Sequence, residues 1–299
     1  MMRDPRRLLA ALLLSALAGC AAPAADTRPS ATPDSSQRKV TPEMLRAAEI
    51  ALDEGRHADA TVHYRQIASV EPDNKAALYG MAEIQLAVGD AGRARDLYDR
   101  LTDDPAYGGR ARQGRGLALL MLGQRRAALE AMTGAVAADP GLWRAWNGLG
   151  QIYDAERAWE KSRESYQNAL AVVPDSGVVH NNLGFSLMLQ GQTDEAARLF
   201  LAALRQQPDL AAARGNLRLA LAWQGRYVEA MAGVGTAQLP TVLNNLGFVA
   251  MMRGELDVAE AYFTRAIEAS PSYYHLAANN LLRLKAMRSA ATGSPTKGP

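Results

Sequence analysis

Residues 143–176, WRAWNGLGQIYDAERAWEKSRESYQNALAVVPDS, carry the pattern that decides the fold. Its informative residues fall at positions 4, 7, 8 and 11 and again at 20, 24, 27 and 32: Trp146, Leu149, Gly150, Tyr153, Ser162, Tyr166, Ala169 and Pro174. Steps of three and four residues place each set on one face of a helix. Small residues at positions 8 and 20 let two helices approach, and the aromatic residue at position 24 fills the space beyond. The stretch therefore predicts a helical hairpin that ends at the proline.

The same pattern returns along the chain, and six of its seven copies start 34 residues apart. The copies, numbered here as repeats one to seven, begin at Thr41, Lys75, Gly109, Trp143, Gly177, Ala211 and Pro240. A fixed period of this size is typical of a solenoid, in which each unit buries its apolar face by stacking on a neighbour. A glycine at position 15, such as Gly191, permits the tight turn out of the first helix.

The spacing fails once, because repeat seven starts 29 residues after repeat six. Residues 231–236 stand where the second helix of repeat six belongs, and they include Gly233 and Gly235. Glycine is a poor helix former. We therefore expect a shortened or broken helix there.

The pattern resembles the tetratricopeptide repeat. The resemblance implies an all-α, right-handed superhelical solenoid of about seven helical hairpins in one domain. A C-terminal helix, completing a domain that spans 41–288, is expected to cover the end of the stack. Its covering side would hold Tyr273, Leu276, Leu281, Leu284 and Met287; docking of a partner is the alternative use of this helix. Residues 289–299 are predicted to form a disordered tail.

The N-terminus has the features of an export signal. Three arginines precede an apolar run at 8–17, about half the length needed to span a bilayer, which predicts a signal peptide over residues 1–19. The following Leu-Ala-Gly-Cys at 17–20 resembles a bacterial lipobox, which implies lipid attachment at Cys20; a chance cysteine is the alternative. Because Ala21 rather than aspartate follows, the resemblance favours sorting to the outer membrane, facing the periplasm. Residues 20–40 are then predicted to be a flexible tether.

Composition and motifs argue against several function classes. The chain has 33 basic and 31 acidic residues, and the signal segment holds three of the former and one of the latter, so its removal leaves no net charge. Binding to nucleic acid is therefore not expected. The four histidines are scattered, and the sequence has no phosphate loop, dinucleotide fingerprint or nucleophile elbow. We expect no metal, no cofactor, no small-molecule substrate and no catalytic residue.

A groove is predicted on the first helices of repeats five to seven. In tetratricopeptide domains, positions 2, 5, 6, 9, 12 and 13 of these helices line the concave face. Here these positions give a candidate peptide-binding groove, adjoined by Leu189 and Met251: Asn181, Asn182, Phe185, Met188, Asn216, Leu219, Trp223, Asn244, Asn245, Phe248 and Met252. Side-chain amides could pair with an extended peptide backbone, and methionine and aromatic groups could hold its apolar side chains. The alternative is that these residues simply pack between helices. Arg110, Arg144 and Arg214 lie near groove-edge positions but do not form a clamp for a terminal carboxylate.

The motifs Asn-Asn-Leu-Gly-Phe at 181–185 and 244–248, together with the lipobox and the Ser-Pro-Ser-Tyr-Tyr ending at 270–274, resemble the TadD lipoproteins of the Flp, or tight-adherence, pilus assembly system. The resemblance implies a non-enzymatic scaffold that supports pilus biogenesis, with a secretin or pilus assembly component as partner. Two alternatives stay open. One is an adaptor for another secretion or cell-wall complex, and the other is a presenter of substrate to a periplasmic enzyme.

Overall fold

The computed structural model describes residues 39–270 and 274–292, and the secondary structure within these ranges is entirely helical. The predicted signal peptide, Cys20, nearly all of the predicted tether, Tyr273 and the end of the predicted tail lie outside the described residues. The all-α prediction is confirmed. The described residues fall into two compact units, one up to residue 174 and one from residue 175 onward.

The described part of the first unit contains four helical hairpins. Its helices are α1 (Pro42–Asp53), α2 (His57–Val70), α3 (Lys75–Ala87), α4 (Ala91–Asp99), α5 (Gly108–Met121), α6 (Arg125–Ala138), α7 (Trp143–Ala155) and α8 (Trp159–Val172). Two helices begin at side-chain caps: the Thr41 hydroxyl accepts a hydrogen bond from the Met44 amide, and the Asn74 side chain accepts one from the Ala77 amide. Such caps satisfy amides that lack a partner within the helix.

The described part of the second unit contains repeats five to seven and the C-terminal helix. Its helices are α9 (Gly177–Leu189), α10 (Thr193–Gln206), α11 (Ala211–Trp223), α12 (Tyr227–Ala230), α13 (Leu239–Met252), α14 (Leu256–Glu268) and α15 (His275–Thr292). The predicted covering helix is α15, and it continues to Thr292 instead of ending at 288. It packs through Leu281 and the fully buried Leu284 on the Phe248 and Phe263 cluster. Leu276 and Met287, predicted on its covering side, are 43% and 44% exposed.

The core contains the same contact in repeats four, five and seven. Tyr166, Phe200 and Phe263 at position 24 are buried, with exposed fractions of at most 1%. Each ring lies on the position-8 glycine of its own first helix, where an added Cβ would come within 3.0 Å of the ring. The absence of a side chain on that glycine is therefore what lets the two helices of a hairpin meet.

Position 15 ends the first helix of each repeat in a left-handed conformation. Glycine supplies it in six repeats, with Gly191 at φ +82°, whereas repeat four has Arg157 at φ +59°. This region is sterically unfavourable for a residue with a Cβ, whereas glycine adopts it without a clash. Repeat four thus carries local strain at this turn.

Replacing Arg157 by glycine is expected to stabilise the first unit, because the strain at φ +59° disappears. The matched comparison is Arg157→Ala, which also removes the side chain but keeps the strain. We expect the glycine variant to be more stable than the alanine variant by about 1 kcal/mol in urea unfolding. Equal stabilities would contradict this explanation.

The second helix of repeat six is short, as predicted. Helix α12 has four residues, two turns replace the rest, and Gly233 adopts φ +65°. The guanidinium of Arg218, at position 8 of α11, donates to the carbonyl oxygens of Ala230 at 3.1 Å and Ala232 at 3.3 Å. Burial, together with the nearby Arg214 charge, lowers the Arg218 pKa. The arginine thus replaces the small residue usual at position 8 and satisfies carbonyls where the helix stops.

Replacing Arg218 by alanine is expected to lower the free energy of unfolding by about 1 to 2 kcal/mol, since two carbonyls lose a charged donor. Lysine should recover only part of this loss, because it lacks the planar fork of donors. Arg198→Ala, which removes an exposed arginine on α10, serves as the control and should change stability by less than about 0.5 kcal/mol. Urea unfolding followed by circular dichroism measures all three. An unchanged midpoint for Arg218→Ala would rule out the capping role.

Candidate protein-binding surface

The predicted groove residues lie on α9, α11 and α13, the first helices of repeats five to seven. On α9, residues at steps of four, three and four share one face. They are Val178, Asn182, Phe185 and Leu189, and each is exposed or half-buried. Asn181, Gly184 and Met188 between them are buried. Helix α9 therefore presents one outward stripe at repeat positions 2, 6, 9 and 13.

The same positions continue the stripe on the other two first helices. Leu219 and Trp223 on α11, and Asn245 and Met252 on α13, are half-buried. Phe185 and Leu219 pack against one buried cluster, and Leu219 and Trp223 pack against the next. We call Val178, Asn182, Phe185, Leu189, Leu219, Trp223, Asn245 and Met252 the first-helix stripe.

Five of the predicted groove residues lie below this surface. Their exposed fractions run from 1% to 8%: Asn181, Met188, Asn216, Asn244 and Phe248. Phe248 belongs to the cluster that Phe263 and Leu284 share, so it supports the fold. For these five residues the structure agrees with the packing interpretation. Asn181, Met188 and Asn244 stand at repeat positions 5 and 12, which face the neighbouring helices. Asn216 and Phe248, at positions 6 and 9, are buried by the Asn181 side chain and by the Phe263 cluster.

The asparagines bond to one another across repeats. The Asn216 side chain donates to Asn181 at 2.9 Å, and the Asn280 side chain of α15 donates to Asn244 at 2.9 Å. Asn181 and Asn244 in turn donate to Asn182 and Asn245 at 3.2 and 3.4 Å. Buried amides need such partners. These amide bonds therefore join repeat five to repeat six and repeat seven to α15, and their half-buried members Asn182, Asn245 and Asn280 reach the surface.

The end of α11 is held in place by charged groups. Arg253 donates to the Trp223 carbonyl and forms an ion pair with Glu255 at 2.7 Å. The Tyr227 hydroxyl donates to the same carboxylate at 2.6 Å. Burial and this hydrogen bond raise the Tyr227 pKa and, conversely, the bond lowers the Glu255 pKa. These contacts fix the backbone that carries Trp223.

Val178 belongs to the stripe although it was not among the predicted groove residues. It is 38% exposed and lies two turns before Phe185 on the same face of α9. The sequence could have indicated this residue, because it stands at position 2 of repeat five, one of the positions that line the concave face in tetratricopeptide domains. An exposed valine on the same face as the half-buried Phe185 ring extends the apolar part of the surface.

The described residues lack the features of two other kinds of site. Residues 39–270 and 274–292 contain no group of three or more histidine, cysteine, aspartate or glutamate side chains that could hold a metal ion. Within the same ranges, no helix has both the length and the apolar character needed to cross a bilayer.

The successive pairs of helices show that this is a helical-repeat protein. Family models described as tetratricopeptide repeat match residues 51–106, 114–177, 178–210 and 240–285. The chain belongs to the tetratricopeptide-repeat family. Members of this family are protein-binding scaffolds, and their repeats bind protein or peptide partners.

Other comparisons agree on the fold. A protein of Sinorhizobium fredii named uncharacterized protein y4yS is 27% identical over 139 residues, which cover 43% of this chain and 75% of that protein. The Cut9 and Hcn1 complex structure matches with a TM-score of 0.65 at 17% identity, over 81% of this chain and 48% of the other. A tetratricopeptide-repeat protein from Parabacteroides merdae matches with a TM-score of 0.52 at 17% identity, over 81% of this chain and 98% of the other. At these identities the two structures support the fold alone.

Proposed function

We propose that this protein is a lipid-anchored scaffold that faces the periplasm and holds a protein partner during assembly of an envelope machine, most specifically the Flp pilus. The first-helix stripe is the observation that supports partner binding. It combines apolar groups, two of them aromatic, with two half-buried amides, so it can hold side chains and a backbone at once. The signal peptide pattern and Cys20 support the anchor.

Changing Phe185 and Trp223 together to serine is expected to weaken partner capture by at least about 100-fold, because aromatic side chains dominate interface energy. Both are half-buried, so helicity should persist. The control changes Leu201 and Val228 to serine. These residues are 46% and 87% exposed and lie on second helices. Equal capture by the stripe variant and the wild-type protein would contradict the proposal.

The anchor and the partner class are tested in membranes. The Cys20→Ala variant should leave the outer membrane fraction and appear as soluble or unprocessed protein, since several acyl chains are needed for stable anchoring. Continued fractionation with the outer membrane would refute the anchor. From detergent-solubilised membranes, the wild-type protein should co-purify with a secretin or another pilus assembly component. Recovery of cell-wall enzymes without a secretin would refute the pilus role.

A further inference from the structure

A second set of residues, in repeats two to four, forms a surface of different chemistry. Arg110, at position 2 of repeat three on α5, places its guanidinium carbon 4.8 Å from the ring centre of Tyr107 and 5.0 Å from that of Tyr79. The two ring centres are 5.6 Å apart with a tilt of 44°. Two aromatic rings therefore hold one planar cation through cation–π contacts.

This arrangement leaves the hydrogen-bonding capacity of Arg110 unused. Arg110 is exposed, and no carboxylate of the described residues pairs with it. Other arginines of the same unit have such partners: Arg100 with Asp73, Arg115 with Asp99 and Arg144 with Glu83. A guanidinium carries five N–H donors and no acceptor. Contact with ring faces orients the group without occupying those donors.

The carboxylates beside this cluster are already engaged. Asp104 accepts from the backbone amides of Ala106 and Tyr107 at 2.9 and 3.0 Å. Glu83 accepts from Arg144 at 2.9 Å through one oxygen and from the Tyr98 hydroxyl at 2.6 Å through the other. Tyr79 packs edge-on to Tyr98 with ring centres 5.9 Å apart, which fixes the platform to the core. None of these carboxylate contacts uses the Arg110 guanidinium. Its donors therefore complement a negative group of planar geometry.

We propose that Arg110, seated on Tyr79 and Tyr107, binds a carboxylate side chain in an acidic segment of a protein partner. A pre-oriented guanidinium can bind a carboxylate through two parallel hydrogen bonds, and little side-chain entropy is lost because the rings already hold the group. The half-buried Tyr107 ring lies beside the charge and adds an aromatic group to the surface. This inference does not depend on the first-helix stripe or on the pilus role.

The test uses the full-length protein labelled with 15N-arginine and a capped tetraglutamate peptide, with capped tetraglutamine as the neutral comparison. The Arg110 Nε–H resonance should shift saturably with tetraglutamate and stay in place with tetraglutamine. Arg110→Ala should weaken tetraglutamate binding at least about tenfold. Arg110→Lys should weaken it severalfold, since it keeps the charge but loses the fork.

Arg65→Ala is the matched control, because Arg65 is also exposed and without a carboxylate partner among the described residues, but it has no aromatic platform. Its binding should equal that of the wild-type protein. An equal loss in the Arg65 and Arg110 variants would overturn the proposal in favour of diffuse charge attraction. Equal shifts with tetraglutamine would also overturn it. So would binding of a tetraglutamine with a free C-terminus but not of capped tetraglutamate, because the ligand would then be a chain terminus.

Discussion

Replacing Phe200 by alanine is expected to lower the free energy of unfolding of the second unit by about 3 to 5 kcal/mol. The ring is fully buried in a cluster with Leu187, Met188 and Ala220, and it lies against Gly184. Its removal takes away apolar contact between the two helices of repeat five and also contact with the next repeat. The cavity cannot close easily, because α9, α10 and α11 all border it.

The neighbouring Leu201 provides the control for this prediction. It is on the same helix but 46% exposed, so Leu201→Ala should change stability by less than about 1 kcal/mol. Urea unfolding followed by circular dichroism gives both values. Similar losses in the two variants would mean that the buried position-24 contact does not hold the hairpin together.

Replacing Gly114 on α5 by alanine is expected to lower the free energy of unfolding of the first unit. An added Cβ at Gly114 would lie 2.2 Å from the ring of Tyr98, which is completely buried and cannot move aside. Overpacking of this kind should cost about 2 kcal/mol or more, although alanine is the better helix former by about 1 kcal/mol. Tyr98 belongs to the preceding repeat, so this glycine sets how closely repeats two and three stack.

Replacing Gly134 by alanine in the same unit should instead raise the free energy of unfolding. At Gly134, in the middle of α6, an added Cβ would meet only the flexible end of Arg112 at 3.4 Å. We expect a gain of about 0.5 to 1 kcal/mol from the helix propensity of alanine. If Gly114→Ala also stabilised the protein, close stacking at position 6 would be refuted.

The starts and ends of most helices could be predicted from the sequence because they depend on local chemistry. Helix α9 begins after the cap Ser176, and the left-handed Gly191 follows its end. The shortened α12 followed from the five-residue deficit in the period and the two glycines. These features need only the chain's own neighbours, so the repeat pattern was sufficient.

The remaining features depend on which residues of other repeats come close in space. Trp146 occupies a core position of the pattern, yet it is half-buried, and its indole N–H donates to the Pro140 carbonyl at 2.9 Å. The position-6 asparagines looked equivalent, but Asn216 is buried, and its side chain donates to Asn181 in the preceding repeat. The platform of Arg110 was missed for the same reason, since Tyr107 lies in a connection between repeats and meets Tyr79 only in the folded unit.

The central claim is that the first-helix stripe of repeats five to seven binds a protein partner. Photo-cross-linking in intact cells tests it most directly, with the photoreactive residue placed at Trp223 in one strain and at Leu201 in another. We predict a partner adduct from position 223 that the additional change Phe185→Ser removes, and none from position 201. Adducts from position 201 without adducts from position 223 would contradict the claim.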